Sequence, residues 1–181
     1  SSDVCSSDLQ RKENAAADNN TITLQRTNGS VLTDGITYSD CKISVTDNAS
    51  NTSDNLTVNT FTVDVTSPSL SYVTGGRVPT PTSDNTPNYT FNSSEAGAIT
   101  YGGACGSSSS SSASSGDNNT VTLTQPDNST PLNDGTYDNC TITVTDNATN
   151  ESSAHAVEGL EFDNSSGTTR NYFTIGATKP A

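Results

Sequence analysis

Chemistry needs reactive side chains that converge, and this chain offers few candidates. It has one histidine, His155, and four cysteines, Cys5, Cys41, Cys105 and Cys140. An imidazole is a ready general base or metal ligand. Yet His155 lies 99 positions after Leu56 in a repeated segment, and a position shared with leucine points to packing rather than catalysis. Serine is abundant, but there is no Gly-x-Ser-x-Gly elbow, glycine-rich phosphate loop or EF-hand spacing. The chain is therefore not expected to be an enzyme.

The cysteines suggest a different chemistry. None sits in a Cys-x-x-Cys pair, which disfavours a zinc or redox motif. Cys105 and Cys140 fall on strands expected to neighbour or face one another. A bridge closing that loop would contribute about 4 kcal/mol in the chain-entropy account, and it implies an oxidising compartment. Triplets of the Asn-x-Ser/Thr type, such as those at Asn48, Asn88 and Asn147, arise readily in a chain this rich in the three residues.

The elements that would position these groups repeat. Asp18-Asn19-Asn20-Thr21 recurs as Asp117-Asn118-Asn119-Thr120. Asp34-Gly35, Tyr38, Cys41 and Val45-Thr46-Asp47-Asn48-Ala49 recur as Asp134-Gly135, Tyr137, Cys140 and Val144-Thr145-Asp146-Asn147-Ala148. The offset is 99, slipping by one at the Asp-Gly turn. A period of that length fits tandem domains rather than a short solenoid unit.

Composition narrows the class. Hydrophobic residues make up 29% of the 181 residues, below the roughly 45–50% of ordinary globular chains. The apolar residues nevertheless form short alternating runs with threonine, the pattern of half-buried strands. Tyr89 and Phe91 share one face; Ile99, Tyr101, Gly103 and Cys105 share another; so do Cys140, Ile142 and Val144. The serine run Gly106–Gly116 reads as a flexible loop. No segment has helical periodicity. The net charge of −13 repels nucleic acid and anionic membranes, and no apolar run is long enough for a transmembrane helix. The expected class is all-β, built as tandem sandwiches with the first one truncated.

The boundaries follow. Residues 10–64 read as the C-terminal part of one repeat, in which Ile22, Leu24, Cys41, Ile43, Val45, Leu56, Val58, Phe61 and Val63 match strands of the second. Residues 65–163 read as a complete repeat ending at Val157, Leu160 and Phe162. Residues 164–181 match neither copy and read as an unassigned tail or the start of another module. Residues 1–9 resemble a translated sequencing adapter and are set aside from fold reasoning.

The segment Asp134-Gly135-Thr136-Tyr137-Asp138-Asn139-Cys140-Thr141-Ile142-Thr143-Val144-Thr145-Asp146-Asn147-Ala148 resembles the bacterial immunoglobulin-like repeats of large surface proteins. Asn85-Thr86-Pro87-Asn88-Tyr89-Thr90-Phe91 and Glu95-Ala96-Gly97 are similar to the earlier strands of that family, and Phe61-Thr62-Val63-Asp64 with Pro68 to its domain junction. The resemblance implies tandem immunoglobulin-like sandwiches in a secreted or cell-surface adhesin or stalk, with neighbouring repeats and a surface glycan or protein as partners. Within it, Gly35 and Gly135 serve the turns, and the hydroxyls of Tyr38 and Tyr137 would tie back to a nearby loop, as in a tyrosine corner spaced three residues from the cysteine. In such an array Asp64 of the linker would approach Glu95, Asp146 and Asn147, a set of oxygens suited to calcium. The simpler reading gives these residues turn and loop hydrogen bonds. The function expected is a disulfide-closed rigid spacer. The alternative is a carbohydrate- or protein-binding module attached to a larger extracellular protein or enzyme, which an exposed aromatic cluster would favour.

Overall fold

The computed structural model describes residues 21–26, 29–116, 118–162, 167–170 and 172–176. Cys5, the adapter-like residues 1–9 and the first Asp-Asn-Asn motif lie outside the described residues. The described chain is all-β and divides into two compact units, Ser1–Thr66 and Ser67–Ala181.

The first unit has four short strands: β1 (Thr37–Tyr38), β2 (Lys42–Ile43), β3 (Leu56–Thr57) and β4 (Phe61–Thr62). They form two antiparallel pairs, β1 with β4 and β2 with β3. Tyr38 and Cys41 are buried, with Leu32, Ile36, Val58, Phe61 and Val63 packed against them.

The second unit is larger. One sheet has the order β5-β7-β11-β9, from β5 (Leu70–Tyr72), β7 (Asn88–Ser93), β11 (Asn119–Thr124) and β9 (Gly106–Ser107). Another has the order β10-β8-β13-β14, from β10 (Ser112–Ala113), β8 (Gly97–Gly102), β13 (Thr141–Thr145) and β14 (His155–Ala156). Tyr89, Phe91 and Val121 from the first sheet share one core with Ile99, Ile142 and Val144 from the second. Alternation explains this: residues two apart on a strand face the same side, and Leu123, two residues after Val121 on β11, joins the same core. The arrangement is consistent with a β-sandwich.

Two sequence expectations change here. The serine run is not an open loop. It leaves Cys105 as β9, paired to β11, and returns as β10, paired to β8, so it crosses from one sheet to the other. Its hydroxyls and carbonyls supply the ties that apolar side chains would supply elsewhere. Ser109 Oγ accepts the Thr122 N–H at 2.7 Å, and the Ser110 carbonyl accepts the Tyr101 hydroxyl at 2.7 Å.

The second change concerns residues 164–181. Strand β17 (Phe173–Ile175) pairs with β12 (Gly135–Tyr137), and Phe173 and Ile175 are core residues of the second unit. They do not open another module. Tyr137 opposes Phe173 and Thr136 opposes Thr174, just as Tyr38 opposes Phe61 and Thr37 opposes Thr62 in the first unit. The counterpart of Asn59-Thr60-Phe61-Thr62-Val63 is therefore Asn171-Tyr172-Phe173-Thr174-Ile175. Residues 158–170 are an insertion with no counterpart. They contain the hairpin of β15 (Gly159–Phe162) and β16 (Gly167–Arg170), and β15 also runs parallel to β6 (Val78–Pro79).

The one-residue slip at the Asp-Gly turn also has a physical cause. In the first unit Gly35, at φ 72°, and Ile36 both oppose Val63: the Gly35 N–H donates to the Val63 carbonyl at 2.9 Å, and the Val63 N–H to the Ile36 carbonyl at 3.1 Å. This is a β-bulge with glycine in the left-handed position. The second unit lacks the extra residue, and Gly135 simply opposes Ile175.

Candidate functional site

The Thr-Asp-Asn-Ala loop is built identically in the two units. Asp47 Oδ1 accepts the N–H groups of Ala49 and Asn51, each at 2.8 Å, and Oδ2 accepts the Asn51 side-chain amide at 2.9 Å. Asp146 does the same with Ala148 at 2.8 Å, Asn150 N–H at 2.9 Å and the Asn150 amide at 2.9 Å. Ser50 and Thr149, equivalent loop residues, both take a left-handed backbone, at φ 69° and 72°. These bonds hold both carboxyls below the usual range, with the asparagine side-chain bond as the leading cause. Asp47 and Asp146 thus act first as loop clamps.

The residues considered as calcium ligands can now be placed. Glu95 lies in the turn between β7 and β8, where its carbonyl accepts the Ser93 hydroxyl at 2.6 Å. A carboxylate oxygen of Glu95 and one of Asp146 lie within 4.8 Å of each other. Asn147 is exposed in the clamped loop. Asp64 belongs to the first unit, just beyond β4, and its Oδ1 accepts the Thr66 N–H at 3.2 Å.

Both tyrosines tie back to the residue before the Asp-Gly pair. The Tyr137 hydroxyl donates to the Asn133 carbonyl at 2.9 Å. The Tyr38 hydroxyl accepts the Thr33 N–H at 2.9 Å. The rings stack on the phenylalanine of the partner strand, Tyr38 on Phe61 at 5.5 Å and Tyr137 on Phe173 at 5.1 Å between centroids. The polarity of the tie differs, donor in one unit and acceptor in the other, while the anchor point is the same.

Cys105 and Cys140 are bonded, with their Cα atoms 5.3 Å apart, and both are buried. The approach is tight: Gly103 has φ +73°, and a Cβ there would stand 1.9 Å from the Asn139 carbonyl oxygen. Cys41, the repeat-mate of Cys140, is buried in the core of the first unit.

His155 joins the two sheets rather than lining a reactive cleft. Its Nε2 is 3.0 Å from the Tyr89 hydroxyl, and its ring lies 4.3 Å from that of Tyr72. Burial pulls its pKa below the ordinary 6.5; Glu158 draws it part of the way back, and Arg77 opposes. Arg77 pairs with Glu158 at 2.9 Å and sits 4.6 Å from the centre of the Tyr72 ring. Tyr72 is pushed up to about 12, chiefly by burial and then by its hydrogen bond to Glu158. These groups form a packed bridge, and sequence reasoning found only its histidine. Arg77 and Glu158 were invisible as partners because they are 81 residues apart in the chain.

No helix among the described residues is long and apolar enough to cross a membrane. Set against known proteins, the chain matches no protein-family model and no curated protein sequence.

Proposed function

We propose that the chain is a stretch of tandem immunoglobulin-like repeats acting as a disulfide-closed spacer in a secreted surface protein. The observation that carries this reading is the shared internal architecture of the two units: the same clamp at Asp47 and Asp146, the same tyrosine tie, and the same Tyr–Phe and Thr–Thr strand pairs. A repeated internal frame of the same loop bonds and strand registers is suited to holding distance. The Cys105–Cys140 bond belongs to an oxidising compartment, which supports an extracellular setting, and the charge of −13 keeps an array soluble.

Single-molecule stretching of the full chain tests the reading. A spacer should show a cooperative unfolding event of the second unit. Reduction should lengthen that event by roughly 120 Å, from about 3.3–3.6 Å per residue over the 35-residue separation of the bonded cysteines. Gradual low-force extension with no discrete event would overturn it.

The aromatic side chains weigh against the binding-module alternative. Among the described residues, Tyr72 is the only aromatic that is a large exposed apolar side chain, and its ring already contacts Arg77 and His155. The calcium proposal keeps a separate test. Addition of calcium chloride should raise the melting temperature of the full chain and do so less in Glu95→Gln; equal curves in calcium and in chelator would end the proposal.

A further inference from the structure

Strands β9 and β10 are the end strands of their sheets, β9 beyond β11 and β10 beyond β8. One short segment, Gly106–Gly116, carries both, so it covers an edge of each sheet. On the first sheet Ser108 donates its N–H to the Thr122 carbonyl at 3.2 Å, and Ser109 Oγ accepts the Thr122 N–H at 2.7 Å. On the second, the Ile99 N–H donates to the Ser111 carbonyl at 2.9 Å. At its far end the Ser115 hydroxyl donates to the Ser94 carbonyl at 2.7 Å.

The segment is weakly held along its own length. Between Gly106 and Gly116 the one apolar side chain is that of Ala113, which enters the core. Most of its serines are exposed. Hydrogen bonds at such positions exchange for bonds to water with little net change, and a single methyl offers little burial. Each ordered residue still costs backbone entropy. Segments of this kind, poor in buried apolar contacts and rich in exposed backbone bonds, open before the rest of a domain. The strong anchor lies at one end. Cys105 immediately precedes β9, is buried, and is bonded to Cys140, which immediately precedes β13. Strand β9 thus starts beside a covalent tie, while β10 relies on Ala113 and the serines.

We propose that the Cys105–Cys140 bond is a redox latch on a strap that covers the edges of β8 and β11. A dithiol reductant breaks the S–S bond by giving up two electrons and two hydrogens. The hydrogens end on the two cysteine sulfurs, and the reductant leaves as its own disulfide. Once unlatched, the strap lifts, and β8 and β11 each lose one neighbour while the β8–β13 and β7–β11 pairings stay. Strands with an open edge recruit other strands, so the oxidised form is the one protected from such pairing. The inference concerns the second unit alone and does not rest on the spacer reading.

Amide hydrogen exchange of the full chain, read by NMR with and without dithiothreitol, tests it. Exchange at Ile99, Ser108 and Thr122 should quicken by at least about tenfold on reduction. Thr90 and Asp146, whose N–H groups donate to the Gly76 and Asn150 carbonyls, should not change. The Cys105→Ser/Cys140→Ser variant should show the same pattern without reductant, so the outcome does not depend on the reductant reaching a buried bond. Ala113→Gly, with the bond intact, should quicken Ile99 and leave Ser108 slow, because only the β10 end is loosened. Slow exchange at Ile99, Ser108 and Thr122 in both the reduced chain and the double variant would overturn the inference. So would an equal quickening at Thr90 and Asp146, or a change at Ser108 in oxidised Ala113→Gly that matches the change at Ile99.

Discussion

The Tyr89 hydroxyl and His155 Nε2 meet at 3.0 Å across the two sheets of the second unit. The bond joins β7 to β14 and places a titratable group inside the core. The folded pKa of His155 lies below 6.5, mainly through burial, whereas the unfolded chain takes up its proton near the ordinary value. Above about pH 6.5 both states are neutral there and stability is full. As pH falls below that value the unfolded state binds the proton first, and stability is lost until the folded pKa is reached. The melting temperature should therefore decline as pH falls below about 6.5. His155→Leu, which copies the first unit's Leu56, should flatten that decline and leave the Tyr89 hydroxyl bonded to the Ala156 carbonyl at 3.3 Å. A variant with the same slope as the parent would show that His155 is not the group responsible.

The disulfide should matter more than any single packing contact. Its loop spans 35 residues, and the chain-entropy account puts the contribution at about 4 kcal/mol. The Cys105→Ser/Cys140→Ser double variant should lose that much in urea unfolding followed by near-ultraviolet circular dichroism. A loss below about 1 kcal/mol would mean that the unfolded state is already compact around this loop.

Gly103 is the backbone position that lets the disulfide close. Gly103→Ala adds a Cβ against the carbonyl of Asn139, next to Cys140, at a left-handed φ. The expected cost is about 1–3 kcal/mol, read as a lower urea midpoint with an unchanged slope. Gly116→Ala is the control: it shares a positive φ, at +77°, but a Cβ there meets nothing within 4 Å. A similar loss in both variants would assign the effect to φ alone and not to the close approach.

Tyr137→Phe removes the donor to the Asn133 carbonyl while keeping the stack on Phe173. A net hydrogen bond is worth about 0.5–1.5 kcal/mol, and the loss should fall in that range. Hydrogen exchange at the β12–β17 pairing should quicken without change at β13. In the first unit Tyr38→Phe leaves the Thr33 N–H without its acceptor, so exchange at Thr33 itself is the readout there.

Strand existence was legible from the sequence wherever apolar residues alternate over several positions, as in Cys140–Val144 and Tyr89–Phe91. The tyrosine tie and the cysteine pair were legible because each is a local or repeated signal. The serine run was not: its strands are held by backbone pairing and hydroxyls, which leave no apolar pattern. The last strand was hidden by arithmetic, since residues 158–170 break the constant offset and disguise Phe173 as a stranger. Asp146 was seen as acidic, but whether its oxygens are spoken for depends on the left-handed residue at Thr149, and nothing in a threonine announces that conformation.

The inserted hairpin at residues 158–170 has a practical meaning. Immediately before it the Val157 N–H donates to the Cys140 carbonyl at 2.9 Å, as Val58 does to Cys41; immediately after it the Tyr–Phe pairing resumes unchanged. The flanking strand registers are thus kept across this splice point, while the insert itself is tied to the unit through the Arg77–Glu158 pair and the β15–β6 pairing. Between Val58 and Asn59 the same point is still vacant in the first unit, which makes it a natural display port where a foreign hairpin or epitope can be mounted and the Tyr38–Phe61 stack used to verify that the mount has not disturbed its base.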